Sequence, residues 1–300
     1  MKKLSIAIIA IFTMCIILAG CSNSKTAEKD PSTIRIVTSF YPMYISTINV
    51  AGGVEGVEII NMTKPQTGCL HDYQLTPGDM ATLEKANIFV ANGAGMESFL
   101  DKVLQQNSHL TIVDASKDIE LLASEDSKEQ NPHVWLSVPK AIQQVKNIEA
   151  QLIEADPKHK NSYKANAEAY IEKLEALNRE MHENLDNLPN KNIVTFHEAF
   201  PYFASEFGLN IIKVIEREPG TEPTPNELAD TISEIKGLNN RVLFTEPQYS
   251  PEAAKTIAHE ADARIYILDP VVTGTADESA KDAYINAMHH NMDILKEALK

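Results

Sequence analysis

The chain is poor in cysteine: Cys15, Cys21 and Cys69 are its only three in 300 residues. If the first twenty residues are removed and Cys21 is modified, as argued below, no intrachain disulfide is available and stability outside the cell must come from buried apolar surface. Basic charge is also scarce, with 27 Lys and Arg against 42 Asp and Glu. So acidic a balance argues against nucleic acid as a partner and tolerates a cation ligand. Low-complexity tracts are missing, and the one long apolar run, residues 4–18, is short for a membrane span. The remaining composition, 43% hydrophobic and 23% charged, is that of an ordinary globular protein able to bury one large core or two smaller ones.

The run 4–18 follows Lys2 and Lys3, which gives it the length and flanks of a secretory signal. It ends in Leu18-Ala19-Gly20-Cys21, a tetrapeptide that resembles the bacterial lipobox, in which cleavage precedes the Cys and its thiol takes a diacylglycerol. Residues 1–20 are therefore expected to be a lipoprotein signal peptide and residues 21–32, SNSKTAEKDPS after Cys21, a polar tether. Cleavage leaves 25 Lys and Arg against 42 Asp and Glu, a net charge of −17.

Residues 156–188 organise the rest. Asp156 can cap a helix there, Pro157 suits its first turn and Pro189 stops it, with no Gly or Pro in between. Tyr163, Ala167, Tyr170, Leu174, Leu177, Met181 and Leu185 recur at steps of three and four, a stripe that must pack on something. At about 1.5 Å per residue the helix would be roughly 45 Å long, a rigid spacer rather than a flexible linker. On either side strand-like and helix-like runs alternate, so the fold expected is α/β: two βα-repeat lobes with parallel sheets, residues 33–155 and 189–300, joined by one long linking helix with a cleft between them.

In the first lobe, strands are expected at 34–37, 57–62, 88–91 and 110–114 and helices at 41–50, 77–83, 96–105 and 138–153. Residues 63–76, TKPQTGCLHDYQLT, form an irregular loop carrying His71, and the acidic loop 116–131, expected to be mobile, delivers His133. In the second lobe strands are expected at 192–196, 210–215, 242–245 and 264–268. Helices are expected at 199–207, from Thr224 to near Gly237, from Ser250-Pro251 onward and at 283–299. Thr224-Pro225-Asn226-Glu227 has the cap, first-turn Pro and returning carboxylate of a helix start.

In open α/β sheets, ligands bind beyond the carboxyl ends of the strands. By this reading His71, His133, His197 and Asp269 all fall at such ends, two in each lobe, and three imidazoles with one carboxylate would complete a four-coordinate zinc site in the interlobe cleft. The other histidines precede a strand (His109) or sit on helices (His159, His182, His259, His289 and His290). Cys69, two residues before His71, offers a soft ligand, although a small buried thiol is the simpler reading. Glu246 is read as an acceptor orienting an imidazole N–H rather than as a ligand. The acidic stretch 216–222 is most simply a polar loop.

At this point the residues resemble the metal-specific solute-binding proteins of bacterial ABC transporters, those with a rigid helix linking two α/β lobes. The resemblance is carried by SFYP at 39–42, GCLHDYQLTP at 68–77, PHVWL at 132–136, TFHEAFPYFASEFGL at 195–209, EPTPN at 222–226, TEPQYS at 245–250 and LDPV at 268–271. It implies metal ligands at His71, His133, His197 and Asp269, Zn²⁺ as the captured substrate with Mn²⁺ as the alternative, and delivery to a membrane permease and its ATPase by a monomer on a lipid anchor. Manganese-type members commonly carry Glu at the third position, so His197 resembles the zinc type. The chain departs from the family where its acidic loop, IELLASEDSKEQN at 119–131, has no His and where Asn131 and Ser137 stand in places that often hold Asp. A zinc hydrolase, with water in an open fourth position, and a metal-stabilised adhesin are the alternative classes.

Overall fold

The computed structural model describes residues 33–70, 73–123, 130–215, 224–248 and 251–300. The signal and tether expected at 1–32, the lipidation site Cys21, His71, residues 124–129 of the acidic loop expected at 116–131, and the whole acidic stretch 216–222 lie outside them. In the first half, β1 (Ile34–Thr38), α1 (Tyr41–Ala51), β2 (Val57–Asn61), α2 (Pro77–Glu84), β3 (Ile88–Ala91), α3 (Asp101–Gln106), β4 (Thr111–Asp114) and α4 (Val138–Ala155) follow one another. After α5 (Lys160–Leu185), the second half contributes β5 (Asn192–Thr195), α6 (Pro201–Phe207), β6 (Asn210–Val214) and α7 (Pro225–Gly237). It ends with β7 (Val242–Thr245), α8 (Pro251–Ala261), β8 (Arg264–Ile267) and α9 (Ala283–Ala298).

Each half builds a four-stranded parallel sheet, in the orders β2-β1-β3-β4 and β6-β5-β7-β8. The same strand order repeats, so each sheet reverses its winding between its first and third strands, the kind of switch point beside which open α/β sheets bind ligands. The central strands IFVA and VLFT are buried along their whole length, as strands covered on both faces must be.

The linking helix carries the expected stripe: Tyr163, Ala167, Tyr170, Leu174, Leu177, Met181 and Leu185 are all buried. Its ends differ from the sequence expectation. A 3-10 turn, Pro157–His159, precedes it, because the Asp156 carboxylate takes hydrogen bonds from the His159 ring and the Tyr163 hydroxyl instead of capping the backbone. At the other end, the Lys191 ammonium donates to the Leu185 carbonyl, and the chain turns before Pro189. One apolar cluster holds this stripe together with Ile36, Val90 and Val113 of the first sheet, Ile193, Val242 and Phe244 of the second, and Met288, Met292 and Leu295 of α9. The two sheets therefore share a core through α5, while their outer faces are covered separately, around Phe89 and Leu83 in one and Leu243 and Ile257 in the other.

The expected helix 96–105 is shortened to a 3-10 turn, Ser98–Leu100, followed by α3. Glu97 is the cause: its carboxylate turns back to accept the Asn92 and Gly93 N–H groups at 2.8 and 3.1 Å. Among the described residues no helix is long and apolar enough to cross a membrane.

Candidate metal centre

His133 enters the centre from the loop after β4 and His197 from the end of β5, one from each half. Both are about 1% exposed, and their rings meet edge to face with centroids 4.8 Å apart. Cys69, from the loop after β2, joins them, and the ligand atoms of Cys69, His133 and His197 all lie within 4.8 Å of one another. Among the described residues this is the one such group.

The surrounding bonds fix which atom of His133 faces inward. Asn131 donates its amide NH₂ to the Glu198 carbonyl at 2.9 Å, so its Oδ1 must be the atom that faces His133. That oxygen accepts the His133 backbone N–H at 3.0 Å and lies 3.1 Å from Nδ1, which assigns the ring proton to Nδ1 and the lone pair to Nε2. Nε2 points to Cys69 Sγ, 3.5 Å away. Asn131 thus performs, with a neutral carbonyl, the orienting role that a carboxylate often takes behind a ligating imidazole.

On the other side, Glu246 at the end of β7 sets its Oε2 3.5 Å from His197 Nδ1, across the switch point between β5 and β7. The Gln248 amide donates to the same oxygen. Glu246 is 2% exposed, and its Oε1 has no hydrogen-bond partner among the described residues.

Asp269 follows β8. Burial pushes its carboxyl above the ordinary carboxylate range, the Glu246 carboxylate raises it further, and the Val271 N–H and His290 oppose them. A half-buried carboxyl whose charge is disfavoured by burial and by a neighbouring carboxylate is a group that a divalent cation would relieve. The bond from Val271 to Asp269 Oδ1 is 2.7 Å long, and Val271 reaches it with φ +62°, a left-handed conformation that a β-branched residue adopts only under strain. Asp269 is nevertheless not in the 4.8 Å group.

Of the four expected ligands, then, His133 and His197 come together, Asp269 stands near Glu246, and His71 lies outside the described residues. The sequence reading did not foresee the bonds that close the halves around them. Trp135 Nε1 donates to the Pro270 carbonyl at 2.8 Å, Tyr284 Oη to the Trp135 carbonyl at 2.7 Å and Tyr202 Oη to the Asn131 carbonyl at 2.7 Å. The Gly274 N–H donates to the Pro65 carbonyl at 2.8 Å. A Cβ on Gly274 would sit 2.3 Å from the Tyr41 ring, so only glycine allows that approach. Beside it, Pro65, Gln66, Pro247, Gln248, Thr273 and Gly274 line a cavity of about 450 Å³. In the sequence Asn131 stood out only as a departure from the Asp often found there, and nothing pointed to the other bonds.

Comparison with known proteins gives a consistent picture. The family described as zinc-uptake complex component A, periplasmic (ZnuA), matches residues 36–298. The high-affinity zinc uptake system protein ZnuA of Bacillus subtilis is 32% identical, over 96% of this chain and 96% of that protein. The zinc-binding lipoprotein AdcA of Streptococcus pneumoniae is 31% identical over 99% of this chain, which spans only 61% of AdcA. The manganese-binding lipoprotein MntA of Halalkalibacterium halodurans is 29% identical over 100% of this chain and 99% of its own. Among solved structures, the Zn(II)-bound ZnuA-like domain of Streptococcus pneumoniae AdcA superposes with a TM-score of 0.78 at 31% identity, covering 89% of this chain and 99% of that one. The laminin-binding protein of Streptococcus agalactiae, described as bifunctional with adhesin and metal-transporting activity, gives 0.79 at 28% identity, with 89% and 100% covered.

Proposed function

The chain belongs to the family of periplasmic zinc-uptake components A, a transport-binding family rather than an enzyme family, and from that premise we propose that it captures Zn²⁺ outside the cytoplasm and delivers it to a membrane permease and its ATPase. The observation that carries this reading is the meeting of two buried imidazoles, His133 and His197, supplied by different halves of the molecule. Imidazole suits zinc better than it suits Mn²⁺, whose preferred ligands are oxygens. The ligand set proposed is His71, His133, His197 and Asp269, with Glu246 accepting from His197 to fix its ring. Asp269 filling the fourth position argues against a hydrolase, which keeps that position open for water.

In the same reading residues 1–20 are the signal peptide, Cys21 is lipidated, and residues 21–32 tether a monomer to the outer face of the cell membrane. The lobes are 33–155 and 189–300, with 156–188 linking them. Manganese is the second reading, favoured by the likeness to a manganese-binding lipoprotein. Calorimetry and metal analysis of the purified protein test the choice. One tightly held Zn²⁺ per chain is the expected result, tighter Mn²⁺ than Zn²⁺ selects the second reading, and no tight binding of either rejects both.

A further inference from the structure

We propose that Cys69 is itself a metal ligand, its thiolate sulfur completing a nitrogen and sulfur set with His133 and His197, and that this soft donor sets the preference of the site for zinc over manganese. The inference rests on the capture function proposed above and specifies the chemistry of its site, the sulfur taking the place in the shell given there to Asp269, which stands outside the 4.8 Å group.

Three observations carry it. The first is distance. A tetrahedral zinc ion with Zn–S of about 2.3 Å and Zn–N of about 2.0 Å holds its sulfur and nitrogen roughly 3.5 Å apart, and Cys69 Sγ is 3.5 Å from His133 Nε2. The second is orientation. Asn131 holds the proton on His133 Nδ1, so the nitrogen that faces the sulfur carries a lone pair, as a ligand nitrogen must. The third is charge. Beside His197 lies the Glu246 carboxylate, about 2% exposed, with one oxygen that has no hydrogen-bond partner among the described residues. A carboxylate so placed is costly unless a cation shares its surroundings.

A thiolate brings a full negative charge and a polarisable sulfur. Zn²⁺ accepts such a donor readily, whereas Mn²⁺ prefers carboxylate and water oxygens. The thiolate also gives a way to reject manganese that does not depend on cavity size. The ordinary alternative is that Cys69 is a thiol donating a weak hydrogen bond to His133 Nε2, in which case sulfur and metal never bond.

The probe that separates the two is Co²⁺. Added to the metal-free protein, Co²⁺ bound to a thiolate gives an intense sulfur-to-metal band in the near ultraviolet, and its visible bands report occupancy whatever the donors. The expected result is a near-ultraviolet band that saturates together with the visible bands at one ion per chain. It should vanish in Cys69→Ser and Cys69→Ala but persist in Cys21→Ser, with the Zn²⁺ over Mn²⁺ preference falling on the order of tenfold or more in the Cys69 variants. Visible bands without the near-ultraviolet band in the unmutated protein would overturn the proposal and leave metal capture standing. No Co²⁺ or Zn²⁺ binding at all would overturn both. The decisive spectrum is that of the unmutated protein, so misfolding of a variant cannot rescue or sink the assignment.

Discussion

Glu97 shows how a single buried side chain ties the loop after β3 to the stability of the molecule. Its carboxylate takes two backbone N–H bonds, yet burial outweighs them, and the Asp114 carboxylate adds to it, pushing the Glu97 carboxyl up to about 7. Because this acid is raised in the folded state, the folded protein holds an extra proton between the ordinary carboxylate range and about pH 7, and stability falls as pH rises through that window. Relative to Glu97→Gln, the unmutated protein should lose on the order of 2 to 3 kcal/mol between about pH 5 and about pH 8. Gln will itself cost stability, since it can accept only one of the two N–H bonds, so the quantity to measure is the change with pH. Urea midpoints of the metal-free proteins at both pH values check this, and parallel curves for the two would contradict it. Such a residue was invisible in the sequence: Glu97 reads there as one more polar position in a helix, and only the fold shows that it turns back into the chain. His133 and His197 were legible as positions because one follows a strand-like run through a single loop and the other stands directly at the end of one. Cys69 was legible only as an ambiguity, since whether a buried thiol is filler or ligand depends on what another segment places beside it.

Elements were more legible than residues because periodicity is local. The strands Ile88–Ala91 and Val242–Thr245 and the cap of α7 occur where hydrophobic pattern and turn chemistry put them, and the Thr224 and Glu227 side chains form the reciprocal cap. Where boundaries shifted, a long-range or side-chain contact had overridden the local signal, as with Asp156 and His159 at the start of α5. The stripe on α5 was fully legible, but what it packs against was not, and that carries the energetic consequence. Leu174 is fully buried in a cluster that includes side chains of both sheets. Leu174→Ala should therefore cost about 2 to 5 kcal/mol and lower one cooperative transition, because neither sheet has a separate inner core to retain. Differential scanning calorimetry with two resolved transitions, only one of them shifted, would show instead that the halves unfold independently.

For the whole molecule, the shared core and the bonds between halves decide how metal binding is felt. A swing of entire lobes would break Trp135 to Pro270, Tyr202 to Asn131 and Gly274 to Pro65 and would expose apolar surface along α5. Such costs favour rearrangement of loops around a fixed frame over domain closure. In the proposed site His133 comes from one half and His197 from the other, so the metal would act as a clasp, and neither half alone would offer a complete tetrahedral shell. A ligand that binds only the folded form adds RT ln(1 + [L]/Kd), about 4 kcal/mol at a thousandfold excess over Kd. Zinc should accordingly raise the melting temperature of the unmutated protein. His133→Ala and His197→Ala should each remove most of that gain, and Asp269→Ala less of it, because water replaces one carboxylate oxygen more readily than one imidazole. The check is a melting series of His71→Ala, His133→Ala, His197→Ala and Asp269→Ala with and without Zn²⁺. Full zinc stabilisation retained by both His197→Ala and Asp269→Ala, or by both His71→Ala and His133→Ala, would mean that the opposite half holds the ion by itself, and the clasp would be wrong.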